Sequence, residues 1–223
     1  MIRAIFYKEW IKIRWYWLLA LVASIGFSGF AMLRLARAVS LKGADHIWQV
    51  MIDRDAIFID LLQYLPLFLG LGLAVVQFVP EMQRKSFKLT LHLPIKATTA
   101  VSVMLAYGAV MLLTTFIPAI LIKFCYLQSV LAPELWQHIL YTAAPWYMAG
   151  LAAYFFTAWV ALEPTWGRRV LDGVIALLFI RIYFQPAKPE AYNDFMPLLT
   201  VVTLMLPLLS MLSLTRFRDG RQD

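Results

Sequence analysis

Long apolar runs separated by short polar stretches are the feature that most constrains how this chain folds. Six such runs cover most of its 223 residues. A helix needs about 20 mainly apolar residues to cross a hydrocarbon core roughly 30 Å thick, whereas a strand of a membrane barrel needs only about 9–11 residues of alternating polarity. The runs therefore predict an all-α polytopic membrane protein with six transmembrane helices in one domain, residues 1–223. They extend over approximately 15–33, 56–79, 98–122, 139–162, 170–184 and 195–214.

Composition excludes several other classes of protein. Hydrophobic residues make up 62% of the chain and charged residues 15%, whereas a soluble domain has about 45–50% apolar and about 25% charged residues. One core cannot hide such an excess, because a soluble domain of this size still has to cover its surface with polar groups. An ordinary soluble enzyme and a disordered chain are excluded, and the single cysteine excludes a disulfide scaffold.

The distribution of the 20 Lys and Arg residues predicts the orientation. With both termini in the cytoplasm, thirteen of these residues fall in inner segments and six in outer segments, which is the bias of the positive-inside rule. Basic residues gathered at the inner surface of the cell membrane also explain the net charge of +7. The lipid bilayer, and not nucleic acid, is therefore the expected partner of these charges.

The segment 2–13, IRAIFYKEWIKI, precedes the first apolar run. Its apolar residues recur at steps of three and four, with charged residues between them, which predicts a basic amphipathic helix. We expect this helix to lie in the inner headgroup layer as an elbow; the alternative is a leader that only fixes the topology. The residues assigned to the elbow are Phe6, Lys8, Glu9, Trp10 and Lys12.

Residues 80–97 form the longest predicted inner loop, which is strongly basic and bounded by Pro80 and Pro94. Apolar residues alternate with polar ones along it, a period typical of a strand, although a lone strand has no partner here. Exposed apolar side chains among cations indicate a docking surface. The alternating apolar residues are Phe87, Leu89, Leu91 and Leu93.

This loop resembles the cytoplasmic loop between the second and third spans of type-2 ATP-binding-cassette (ABC) exporter permeases. That family has six spans, cytoplasmic termini, an amphipathic entry helix and a loop close to E-x-x-x-G-T-x-x-x-L-x-x-x-P. Here Glu81 takes the acidic position, Ser86 the hydroxyl position and 93–95 (LPI) the closing step, while Lys85 stands where glycine is usual. The YKEWIKIR segment over 7–14 is similar to the family's entry helix.

The resemblance implies a permease subunit that is not itself an enzyme. The loop would be a coupling helix seated on a separate nucleotide-binding ATPase, present in two copies, which holds ATP and Mg, beside a second permease copy or a paralogue. The chain itself contains no G-x-x-x-x-G-K-[ST] phosphate loop, and no cofactor or metal is expected on it. The coupling residues implied are Glu81, Arg84, Lys85, Ser86, Phe87, Lys88, Leu91, Leu93 and Pro94.

Charged residues inside the apolar runs are candidate functional groups, because a charge in a membrane is costly unless it is paired or used. Asp60 near the outer mouth of the second run, and Arg181 near the outer end of the fifth, are candidates for lining a pathway. Asp172 lies four residues from Arg168, so we expect an ion pair between them and no substrate contact.

Two other classes of function stay open. One is an intramembrane protease, because residues 26–29 read GFSG, which matches the G-x-S-G of rhomboid proteases. That chemistry needs a base beside Ser28, and all three histidines fall in predicted loops. We therefore expect these small residues to pack helices together instead. A lipid-modifying enzyme lacks a recognisable catalytic constellation. The other class is a non-transporting assembly subunit, which nothing in the sequence excludes.

Overall fold

The computed structural model describes residues 2–43, 62–83, 95–185 and 190–218. Within these ranges the chain is helical and contains no strand, as the apolar runs predicted. The helices are α1 (Ile2–Lys42), α2 (Leu65–Gln83), α3 (Ala97–Val130), α4 (Pro133–Leu162), α5 (Trp166–Ile182), α6 (Met196–Met205) and α7 (Pro207–Arg218).

The first helix differs from the expected elbow followed by a span. Residues 2–13 and the first apolar run form one uninterrupted helix of 41 residues, about 60 Å long at 1.5 Å per residue. No glycine or proline stands near residue 14 to break it. Ile5 and Ile13 are 3% and 0% exposed, so this segment packs against the other helices instead of lying alone in the headgroup layer.

Helix α4 lies at the centre of the bundle. It packs extensively against α2, α3, α5, α6 and α7, while α1 packs against α3 and α2. Pro207 separates α6 from α7, because proline has no N–H to continue the hydrogen-bond ladder. The two short helices together occupy the position of the sixth predicted run.

Four helices of the described ranges are long and apolar enough to cross a membrane: Arg3–Leu41, Leu65–Gln83, Ala97–Val130 and Met196–Arg218. The runs at 139–162 and 170–184 also form helices, but α4 is rich in aromatic residues and carries Pro145, and α5 has only 17 residues with Asp172 and Arg181 among them. A central helix surrounded by protein needs less hydropathy than one that faces lipid.

Two glycines allow α2 and α4 to approach closely. A Cβ atom added at Gly70 would collide with the carbonyl oxygen of Gly150, and one added at Gly150 would lie 2.6 Å from the carbonyl oxygen of Pro66. Small residues at such crossings are typical of membrane bundles, because backbone contact replaces the hydrophobic driving force that lipid removes.

We expect Gly150→Ala to destabilise the bundle, since the added methyl would push the α2 backbone away. Overpacking of this kind costs about 1–3 kcal/mol, which lowers Tm by roughly 3–10 °C in a chain of this size. Gly29→Ala is the matched control, because a Cβ there meets nothing within 4 Å. Thermal unfolding in detergent measures both, and equal Tm values for the two variants would contradict the close α2–α4 contact.

Candidate functional site

The candidate site begins with three charged residues near the start of α1. Lys8, Glu9 and Lys12 occupy one side of the helix because residues three or four apart are neighbours on its surface. The Glu9 side chain is fully buried, and its Oε1 lies 2.7 Å from the Lys12 Nζ. The Lys12 and Lys8 side chains are 19% and 35% exposed. The Glu9 carboxylate is thus buried in the bundle beside the Lys12 ammonium group.

The last turns of α2 supply the partners of these residues. Glu81 is 2% exposed, and its Oε1 lies 2.8 Å from the Nζ atoms of both Lys8 and Lys12. Lys12 also donates to the backbone carbonyl of Gln77 at 3.3 Å. Gln77 and Glu81 are one turn apart on α2, so both face α1.

Gln77 extends these contacts to α3 and α4. Its Nε2 donates to Glu9 Oε2 and to the Met104 carbonyl, both at 2.9 Å, and its Oε1 accepts from the Tyr154 hydroxyl at 2.8 Å. Gly108 makes room for this arrangement, because a Cβ there would collide with the Tyr154 hydroxyl and with Gln77 Oε1. Both Gln77 and Tyr154 are fully buried.

We call the set of Lys8, Glu9, Lys12, Gln77, Glu81 and Tyr154 the inner joint. It ties α1, α2 and α4 together through contacts between residues that lie 65 to 77 apart in sequence, and Gln77 adds α3 through the Met104 carbonyl. Its two carboxyl groups lie against two lysine side chains. Buried polar networks with paired members rigidify a fold, whereas removing one member leaves a costly unpaired charge.

The structure places the other predicted coupling and pathway residues as follows. Glu81 turns its carboxylate into the bundle and contacts α1. Arg181 is exposed in the last turn of α5. The coupling residues Arg84, Lys85, Ser86, Phe87, Lys88, Leu91, Leu93 and Pro94, and the pathway candidate Asp60, lie outside the described residues.

The aromatic residues assigned to the elbow are partly exposed. Phe6 is 40% exposed and contacts the ring of Tyr107 edge-on, with 5.0 Å between ring centroids. Trp10 is 37% exposed and contacts Trp17.

A second polar cluster lies at the same end of the bundle and was not predicted. Glu163, which follows α4, is fully buried, and its Oε2 accepts from the Ser213 hydroxyl at 2.6 Å and from Arg216 at 3.1 Å. Its backbone carbonyl accepts from Arg169 at 2.6 Å, and its Oε1 accepts from Thr165 at 3.2 Å. We call these five residues the Glu163 cluster; it joins the inner ends of α4, α5 and α7.

Asp172 does not form the expected ion pair with Arg168. Arg168 is exposed on α5, whereas Asp172 is 5% exposed, and its Oδ2 has no hydrogen-bond partner among the described residues. The two residues are neighbours on one side of α5, but the Arg168 side chain is exposed and the Asp172 side chain is buried, so no ion pair forms between them.

Lys123 on α3 is a buried cation that sequence reasoning missed. It is 1% exposed, donates to the Tyr147 hydroxyl, and its Nζ lies 4.6 Å from the centre of the Tyr147 ring. The available signal for Lys123 was a lone lysine near the end of an apolar run, and the signal for Gln77 was a glutamine inside such a run. Neither signal identified the residue that the side chain contacts.

The G-x-S-G motif acquires no catalytic partner in the described part of the chain. Ser28 is 1% exposed and its hydroxyl has no hydrogen-bond partner there. His138 instead contacts Glu190, with 2.9 Å between Nδ1 and Oε1. A Cβ at Gly26 or Gly29 would meet nothing within 4 Å, so these glycines do not pack against another of the described helices.

Comparison with family models, with curated proteins and with solved structures found no significant match to this chain. Support for a function therefore has to come from the chain's own residues.

We expect Lys12→Met to lower the free energy of unfolding by about 3 kcal/mol, because it leaves Glu9 and Glu81 buried with less compensating charge. Lys8→Met is the matched control: its side chain is 35% exposed, and solvent-screened pairs contribute only about 0–1 kcal/mol. Chemical denaturation in detergent measures the difference. A Lys8→Met effect as large as that of Lys12→Met would show that burial does not set the energetics of the joint.

Proposed function

We propose that this chain is the transmembrane permease subunit of an ATP-driven exporter of the ABC type, with six spans and both termini in the cytoplasm. The observation that carries the proposal is the inner joint, since its Glu81 lies in the last turn of α2, three residues before the segment 84–94 that resembles a coupling loop. The end of α2, from which that segment continues, is thus held by contacts with three other helices.

The inner joint gives such a loop a mechanical role. Glu81 is held by α1, and Gln77 one turn away is held by α3 and α4. A displacement of the loop therefore moves the end of α2 together with its three neighbours. A partner can shift the equilibrium of the bundle only through contacts that differ between its states. In the proposed mechanism, the paired charges and hydrogen bonds of the inner joint transmit the motion of the partner to such contacts.

The remaining parts of the proposal follow from the resemblance. Two copies of the bundle, identical or paralogous, assemble with two ATPase subunits that bind ATP and Mg, and cargo crosses between the spans. Arg84, Lys85 and Lys88 make charged contacts with the ATPase, and Phe87 and Leu91 pack into it. Glu81 takes a different role from the one its position in the motif suggested, because its buried carboxylate braces the loop from within the membrane chain.

Affinity purification of the tagged full-length chain from its native membranes tests this proposal. We expect a phosphate-loop ATPase to co-purify and its hydrolysis rate to depend on the membrane chain. Phe87→Asp combined with Leu91→Asp is expected to lower the yield of ATPase at least tenfold, because two charges would enter an apolar contact. Exposed apolar residues of α5, such as Leu177, are expected to tolerate replacement by Val with no loss of the ATPase.

Two outcomes contradict the proposal. One is co-purification of no ATPase with a chain that remains monodisperse in detergent. The other is full retention of the ATPase by the double variant, which would place the contact elsewhere. Enzymatic turnover of lipid or peptide by the isolated chain would favour the membrane-embedded enzyme instead.

Tyr154→Phe separates binding of the ATPase from transmission of its motion. The variant loses one hydroxyl, whose single proton lies between Gln77 Oε1 and the Leu105 carbonyl, a net cost of about 0.5–1.5 kcal/mol. We expect the ATPase to co-purify in normal amount while its dependence on the membrane chain falls severalfold. Tyr141→Phe, at an exposed position on the same helix, is the control; equal effects of the two would argue against transmission through the joint.

A further inference from the structure

Besides the Nε of Arg169 in the Glu163 cluster, three buried polar groups of α4, α5 and α7 have no hydrogen-bond partner in the described part of the chain. They are the indole Nε1 of Trp159, the Oδ2 of Asp172 and the hydroxyl of Ser210. Their residues are 7%, 5% and 0% exposed, respectively. Buried polar groups are hydrogen-bonded in the great majority of cases, and each unpaired one costs about 1–3 kcal/mol. Three together call for a physical explanation.

Helix geometry places these three groups in one layer. Each lies one helical turn from a member of the Glu163 cluster: Trp159 is four residues before Glu163, Asp172 is three after Arg169, and Ser210 is three before Ser213. Because α4 and α7 run toward the inner end and α5 runs away from it, all three steps lead in the same direction, deeper into the bundle. We call this set the Asp172 layer; it lies about 5 Å above the Glu163 cluster.

The chemistry of the Asp172 layer is complementary but incomplete. Trp159 supplies a donor, Asp172 an acceptor, and Ser210 both. They do not bond directly to one another, so a bridging group must be able to donate to the carboxylate and accept from the indole. Water does both and is stable in a buried site when it has two to four polar partners.

A metal ion fits the layer less well than water. A cation would leave the Trp159 N–H unpaired, because a cation accepts no hydrogen bond. Arg216 is engaged with the Glu163 carboxylate, and one terminal nitrogen of Arg169 donates to the Glu163 carbonyl. The Nε of Arg169 is buried without a hydrogen-bond partner in the described part of the chain, so it is one more donor that water in the layer can satisfy.

We propose that the Asp172 layer is a water-binding site, filled from the cytoplasmic side past the Glu163 cluster. The water bridges α4, α5 and α7 one turn inside their ends. The site is independent of the proposed transport function, since it depends only on the packing of these three helices.

Thiol labelling tests whether water reaches the layer. In a Cys125→Ser background, which removes the exposed native thiol, Ser210→Cys is treated in membranes with a small neutral methanethiosulfonate, and the modification is followed by mass. Only the thiolate reacts, and an apolar environment suppresses it. We expect Ser210→Cys to react at least tenfold faster than Leu206→Cys, a buried position one turn deeper. Equal rates in the two variants would overturn the proposal.

Substitution of Asp172 provides a second readout that does not depend on a cysteine. With water in the layer, Asp172→Asn keeps a bridging partner and leaves Tm nearly unchanged, whereas Asp172→Leu lowers Tm by about 3 °C. In a dry layer, Asp172→Leu instead removes an unpaired polar group and raises Tm. A higher Tm for Asp172→Leu than for the native chain would therefore reject the water site.

Discussion

A charged side chain in a bundle that faces hydrocarbon has to find its partner inside the protein, and the inner joint satisfies this constraint for α1 and α2. Glu81 is held by Lys8 and Lys12, and Glu9 is held by Lys12 and by the side-chain amide of Gln77. The register of α1 against α2 is thereby fixed, because sliding by one turn would separate buried charges from their partners. The two long helices are locked at the end where the proposed coupling segment begins.

The positions of the helices were predictable from the sequence, because an apolar run long enough to cross a bilayer reads directly as a helix. The break expected after residue 13 is absent from the structure, since amphipathicity describes which side of a helix is polar and not where the helix ends. Continuation of α1 follows from the absence of a glycine or proline near residue 14. On its polar side, Glu9 and Lys12 contact α2.

Only some residues of the inner joint could be identified from the sequence. Lys8, Glu9 and Lys12 stood out as charges, but their partners Gln77 and Glu81 lie more than 60 residues away, and no local pattern encodes such pairing. The glycines illustrate the same limit: the sequence favoured 26–29 for helix packing, whereas Gly70 and Gly150 make the close contact. Which glycine meets another helix depends on how each helix is rotated about its own axis. Apolar residues on all sides of a helix leave that rotation undetermined.

The inner joint and the Asp172 layer divide the bundle into a rigid part and a more deformable part. In the inner joint the side chains of α1, α2 and α4 bond directly to one another and to backbone carbonyls of α3, and such a network resists relative motion. In the Asp172 layer, α5 and α7 face α4 through groups that water bridges, and water can exchange partners as helices shift without leaving a group unpaired. Force applied at the end of α2 would therefore carry α1 to α4 as one unit and displace them against α5 and α7. The place where the bundle yields is then set by how its buried polar groups are satisfied, and not by a proline or a loop.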